Sequence, residues 1–165
     1  MANVTGTFYD GDAVIGYGSQ FEVGQGDSPE TFVAVPDIDT ITPGDLTTGV
    51  VDITHLRSTA RHREKKGTLR DSGPIGFGGN YRPSHGAHML AGGDGFDATH
   101  NVIYLWRNVV ENNFKIVAPA DADDMELDVR GVVTKYQVGP LGLDTKWTFM
   151  GEITPLRDYF TGPTA

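Results

Sequence analysis

At 165 residues the chain is long enough for one domain that buries about 70% of its unfolded surface, so it needs no metal or disulfide staple. It has no cysteine, which excludes thiol catalysis, cysteine-zinc sites and a disulfide framework, and fits a cytosolic folding history. With 22 acidic against 13 basic residues the net charge is −9, a balance that repels phosphates and argues against nucleic-acid binding in the usual sense.

In chain order, the opening MANVTGTFYDGDAVIGYG has neither a basic n-region nor an apolar h-region. No run approaches the roughly 18 apolar residues of a membrane helix, so a soluble, unexported chain without a membrane segment is expected. The 22 glycines and 9 prolines punctuate the sequence as in an all-β protein with short turns. Strands are expected over 17–24 (YGSQFEVG), 31–35 (TFVAV), 49–54 (GVVDIT), 73–82 (GPIGFGGNYR), 113–118 (NFKIVA), 126–138 (ELDVRGVVTKYQV) and 145–154 (TKWTFMGEIT). In 73–82, Ile75, Phe77 and Tyr81 share one face, while Gly76, Gly78 and Asn80 leave the other nearly bare for a second backbone to approach. Phe32, Ile75, Phe77, Trp147 and Phe149 are expected in the core rather than as ligand-stacking residues.

Two helices interrupt the strands. Pro83 and Ser84 can start one through SHGAHMLA, which Gly92 and Gly93 would stop. Asp97 or Thr99 can cap a second, in which Val102, Ile103, Trp106, Val109 and Val110 recur at helical spacing. Its β-branched content means that NVIYLW also reads as a strand. The chain carries no internal repeat, linker or low-complexity tract.

Between the third and fourth strands lies THLRSTARHREKKGTLRD (54–71), which holds six of the 13 Lys and Arg residues: Arg57, Arg61, Arg63, Lys65, Lys66 and Arg70. Residues 57–70 carry these six cations against Glu64 alone, a local +5, so the rest must sum to −9 − 5 = −14. Two surfaces of opposite sign can therefore share one molecule. The stretch reads as a solvated charged loop, as an interface for acidic groups, or as a nucleic-acid patch. The last lacks interleaved aromatics, since no Phe, Tyr or Trp lies between residues 33 and 76.

No constellation points to chemistry. GGDGFDATH (92–100) fits the start of a calcium β-helix repeat, but that motif works by stacking copies and here there is one. The acidic run DADDMELD lacks the glycine and final glutamate of an EF-hand and reads as a solvated turn. His85 and His88 are three apart without an HExxH pattern, and each GxG lacks its third glycine. No GxSxG elbow is present. The expectation is a protein that is not an enzyme, with no catalytic, metal or cofactor-binding residues and no cofactor.

The order of the residues is more telling. Gly26 to Phe32 form a Gly-Asp-Ser-Pro-Glu turn leading to a Phe-containing strand. Asp52, Thr54 and Leu56 then end a strand. Gly67, Leu69, Asp71 and Gly73 lead to a strand ending in Asn80-Tyr81, followed by Pro83, and the chain closes on KWTFMGEITPL (146–156). This succession resembles the major tail tube proteins of long non-contractile-tailed, lambda-like bacteriophages over most of the chain. Residues 92–113 are longer than the family's helix-to-strand connection and are expected to be an insertion. The chain also stops after the last strand, so one tube domain over 1–165 is expected, without the immunoglobulin-like extension of some members.

The resemblance implies a mainly β fold, a β-sandwich or barrel of the phage tail tube type with one or two flanking α-helices. It implies a structural virion protein whose partners are its own copies, in hexameric rings stacked into a tube that phage DNA crosses without specific binding. Tape-measure and tail tip or terminator proteins are the other implied partners, in the virion tail after assembly in the host cytoplasm. The family's loop between the third and fourth strands reaches the neighbouring ring, so Arg57, Arg61, Arg63, Lys65, Lys66 and Arg70 become candidate inter-ring residues. A related assembly part remains an alternative: the inner tube of a contractile tail or secretion-type apparatus, or a tail terminator ring. So does a β-sandwich module binding calcium or a saccharide.

Overall fold

The computed structural model describes residues 18–26, 30–54, 63, 65–118 and 126–157. Arg57, Arg61 and the acidic run from Asp121 to Asp124 lie outside them. The elements are β1 (Gln20–Gln25), β2 (Thr31–Ala34), β3 (Ile38–Thr42), β4 (Leu46–Asp52), β5 (Lys65–Ser72), β6 (Ile75–Asn80), a 3-10 turn (Gly86–His88), α1 (Val102–Asn108), β7 (Glu111–Val117), β8 (Glu126–Val138) and β9 (Thr148–Pro155). Seven strands pair antiparallel in the order β2-β1-β7-β8-β9-β6-β3, and β4 and β5 form a separate hairpin. Among the described residues the chain is mainly β, with one α-helix beside the sheet.

The seven-stranded sheet rolls up. Three strands separate β1 from β6 in the pairing order, which on a flat sheet would hold them about 19 Å apart. Yet the Phe21 and Phe77 rings stack with centroids 4.5 Å apart. The outermost strands β2 and β3 are joined by a short turn through Asp37, whose φ is 54°. The Val35 N–H donates to the Phe21 carbonyl and the Asn80 N–H to the Asp37 carbonyl, which ties the seam. A sheet rolled onto its own apolar face buries that face without a second layer.

The period-2 alternation of the long strands explains which side turns inward. In β7 and β8, Phe114 sits opposite Val129 and Ile116 opposite Leu127, and their neighbours Lys115 and Asp128 point out. Phe21, Phe77, Phe114 and Phe149 form a connected aromatic centre with Ile75 and Ile153 around it. Thus Ile75, Phe77 and Phe149 are core residues. Trp147 is half-buried: its Nε1–H donates to the Gly139 carbonyl at 3.0 Å and its ring meets Tyr81 edge-on. Phe32 departs from the expectation. Its register opposite Gly24 places it on the outward side, half-buried, with Lys115 Nζ 4.7 Å above the ring.

Four other features differ from the sequence reading. IDTIT makes the short strand β3, unmarked because Pro36 and Pro43 crowd it on both sides. KKGTLRDS, expected as loop, is strand β5, whose conformation comes from pairing with β4 and not from an apolar face. The segment after Pro83 is a single 3-10 turn held by His85, whose Nδ1 accepts from the Ala87 N–H. The cap of α1 is Asn101, whose side chain accepts from the Tyr104 N–H; neither Asp97 nor Thr99 serves. Val102 and Leu105 bury, Trp106 is 42% exposed, and Val109 lies past the helix end.

Candidate assembly surfaces

The hairpin β4–β5 is an arm. Every residue of β4 and all of β5 except Ser72 are exposed, including Leu46, Val50, Val51 and, at 86%, Leu69. A two-stranded hairpin is marginal alone in water, so an arm of this kind calls for a covering surface.

The arm also redistributes the basic cluster. Thr48 pairs with Arg70 and Val50 with Gly67, so two steps along β4 match three along β5 and the extra residue makes a bulge. Thr48 packs over Gly67, and Thr68 over Gly49, as that offset requires. One face therefore presents Leu46, Val50, Asp52, Lys65 and Arg70, and the other Val51, Lys66, Leu69 and Asp71. A cluster that is continuous in sequence is split between two faces. Arg63 stands 4.0 Å from Asp52 at the arm's outer end. The Asp52 carboxyl is held below its usual range by hydrogen bonds from the Thr54 hydroxyl and N–H.

The outward face of β1, β7, β8 and β9 is the second surface. Each of its cations meets a carboxylate on the same face: Lys115 with Glu126 at 2.8 Å, Arg130 with Glu111 at 3.3 Å, and Lys135 with Glu152 at 2.9 Å. The Glu126 hydrogen bond raises the Lys115 pKa, with further help from Asp128 and Glu22. Among the described residues the face thus holds three cations and five carboxylates (Glu22, Glu111, Glu126, Asp128, Glu152), a net of 3 − 5 = −2. Beside it, Gly76 and Gly78 floor a groove of about 320 Å³ walled by Thr40, Thr42, Met150 and Glu152, the bare strand face that the sequence pattern marks.

A third surface lies at α1. A groove of about 440 Å³ runs between the helix and the preceding turns, lined by Leu90, Ala98, Thr99, Tyr104, Arg107 and Asn108. Met89, Trp106, Val109 and Val110 extend exposed apolar surface around the same helix. Residue spacing gave no sign of it, because it is assembled from two segments.

Beneath this region His88 is buried, its Nδ1 2.9 Å from the Tyr136 hydroxyl and its ring 4.4 Å from Phe149. Burial pulls the His88 pKa down to about 4, with a smaller contribution from His85, and burial raises that of Tyr136. Nε2 finds no partner among the described residues. Among the described residues no group of three His, Cys, Asp or Glu could hold a metal, and no helix among them is long and apolar enough to cross a membrane.

No protein-family model and no curated protein matches the sequence. Solved structures do. The chain is similar to a protein in the tail of an empty GTA (gene transfer agent) particle, solved with C6 symmetry, at a TM-score of 0.64 and 13% identity, covering 88% of this chain and 96% of that one. It is similar to a protein of the sheath-tube complex of an extracellular contractile injection system, at 0.59 and 12%, covering 94% and 96%. A protein of the sheath/tube terminator of such a system matches at 0.59 and 11%, covering 88% and 94%. At these identities the likeness is one of fold.

Proposed function

We propose that the protein is a structural tail subunit that assembles with its own copies, six to a ring, into a stacked tube through which DNA passes. The observation that carries this reading is the arm: a rolled sheet of the kind found in tail and tube assemblies bears a hairpin exposed on both faces, with nothing among the described residues to cover it. The arm's cations, Arg63, Lys65, Lys66 and Arg70, with Arg57 and Arg61 of the same stretch, meet acidic groups of the neighbouring ring. One exposed ion pair contributes only about 0.2 to 1 kcal/mol. Several per copy, repeated around a ring, make stacking multivalent once a first ring is fixed. Free subunits stay dispersed until then.

The outward sheet face suits a conduit wall. Free lumen cations would form salt-dependent contacts with phosphates, whereas cations already held by carboxylates, with net negative charge left over, leave DNA free to slide. Edge strands β2 and β3 gain partners when rings close, which removes the liability of exposed edges. Residues 92–113 are an addition to the tube fold. The partners are further copies, a tape-measure protein and tail tip and terminator proteins, in a virion tail after assembly in the host cytoplasm; no catalysis is assigned.

Negative-stain electron microscopy of concentrated protein, with and without preformed tail ends as template, tests the reading. Hollow filaments with a regular axial repeat are expected. Arg61→Glu with Arg63→Glu leaves the subunit folded and stops growth; normal filaments from that variant refute the charged contact. The likeness to a terminator protein favours one second reading, a tail-end ring, and closed rings that never stack would establish it.

A further inference from the structure

We infer that the Leu69 face of the arm docks in the α1 groove of a second copy. The inference rests on the self-assembly reading and assigns the arm a partner surface that the basic cluster alone does not.

The arm carries aliphatic side chains on both faces, so one contact on one side leaves the other wet. The face with Lys65 and Arg70 is the more cationic and fits acidic groups. The opposite face has a different order: Asp71, then Leu69 at the bulge, then Lys66 paired with Val51, that is acid, aliphatic, base. The groove offers a cation beside an apolar wall: Arg107 is its one charged lining residue, and Leu90, Ala98 and Tyr104 supply the wall, with Asp97 next to Ala98 in the chain but outside the lining.

None of the facing charges is committed elsewhere to a Lys, Arg, Asp or Glu among the described residues. Asp71, Lys66 and Arg107 have no ion pair there, and Asp97 has only His100, at 3.8 Å. Leu69 is 86% and Leu90 45% exposed, so each is an uncovered apolar side chain, one near Asp71 and the other in a groove with Arg107. The two surfaces lie on different parts of one chain, and pairing them between copies is head-to-tail. A head-to-tail contact leaves one arm and one groove free at the ends, so it propagates into rings or filaments and does not stop at a dimer.

The chain has no cysteine, so introduced thiols report only the intended contact. Leu69→Cys and Ala98→Cys are made as separate proteins, mixed, assembled and mildly oxidised. A disulfide-linked dimer is expected from the mixture, well above that from either protein alone. If Ala98→Cys lowers the melting temperature, Thr99→Cys in the same groove replaces it. Asp71→Arg and Arg107→Asp are each expected to raise the concentration needed for assembly several-fold, and the two together to restore it. Filaments that form without the 69-to-98 or 69-to-99 disulfide, or a double reversal no better than the single ones, overturn the docking and leave the tube reading intact. A wild-type protein that never assembles overturns the tube reading, and the docking with it.

Discussion

His88 is an ionisable group held in an aromatic shell, and its chemistry sets how the subunit responds to acid. Its folded pKa, about 4, lies below the ordinary 6.5, so between these values the unfolded chain binds a proton that the folded chain refuses. The stability at stake is full above about pH 6.5 and falls as pH drops, the loss levelling off below about pH 4 at roughly 3 kcal/mol. Denaturant midpoints taken from pH 8 to pH 4 should fall accordingly, and His88→Phe should flatten that segment. The same replacement leaves the Tyr136 hydroxyl unpaired and costs about 1 kcal/mol throughout. Val109 is the second residue of note, a β-branched side chain at φ 53° where helices usually end on glycine, and 71% exposed. The left-handed conformation costs an L residue about 1 to 2 kcal/mol, and glycine escapes it at some loss of unfolded-state entropy. Val109→Gly is therefore expected to raise subunit stability by about 0.5 to 1 kcal/mol, read as a higher melting temperature.

Among the described residues nothing covers the arm, so its ladder hydrogen bonds face water. Amide hydrogen exchange should be fast along β4 and β5 in the free subunit and slow in the assembled state, while β8 and β9 are protected in both. Equal protection of the arm before and after assembly would count against its covering a neighbour. The arm is also where residue patterns mislead. KKGTLRDS has no apolar alternation to mark it as a strand, because both its faces are exposed and neither serves the core. The bulge compounds this: the shift between Thr48 and Val50 sends Lys65 and Arg70 to one face and Lys66 to the other, which counting along the sequence does not reveal.

At the scale of the whole molecule, the rolled sheet depends on side chains that meet across it. Phe21 stacks on Phe77 at 4.5 Å and on Phe114 at 5.9 Å, and so joins β1, β6 and β7. Phe21→Ala is expected to cost about 3 to 5 kcal/mol, since a ring-sized cavity would open where three strands converge. A melting temperature within a degree or two of wild type would mean that the roll is held elsewhere. Much of this architecture was legible beforehand. The strands at 31–35, 73–82, 113–118 and 126–138 show because alternation is imposed by one buried face, and β8 in particular runs over 126–138 as read. Glycine and proline marked the turns, the all-β class and the order of elements that resembles tail tube proteins, all of which are local or sequential properties. What only the tertiary structure decided is relational. It put Phe32 outside, beneath Lys115, and it rolled the sheet until Phe21 on β1 meets Phe77 on β6. It also divided one basic cluster between two faces and assembled a groove from Leu90, Ala98 and Arg107. The physical reason is common to these: periodicity records which side of an element meets the core, whereas register, bulges and the packing of distant segments determine what each remaining side chain faces.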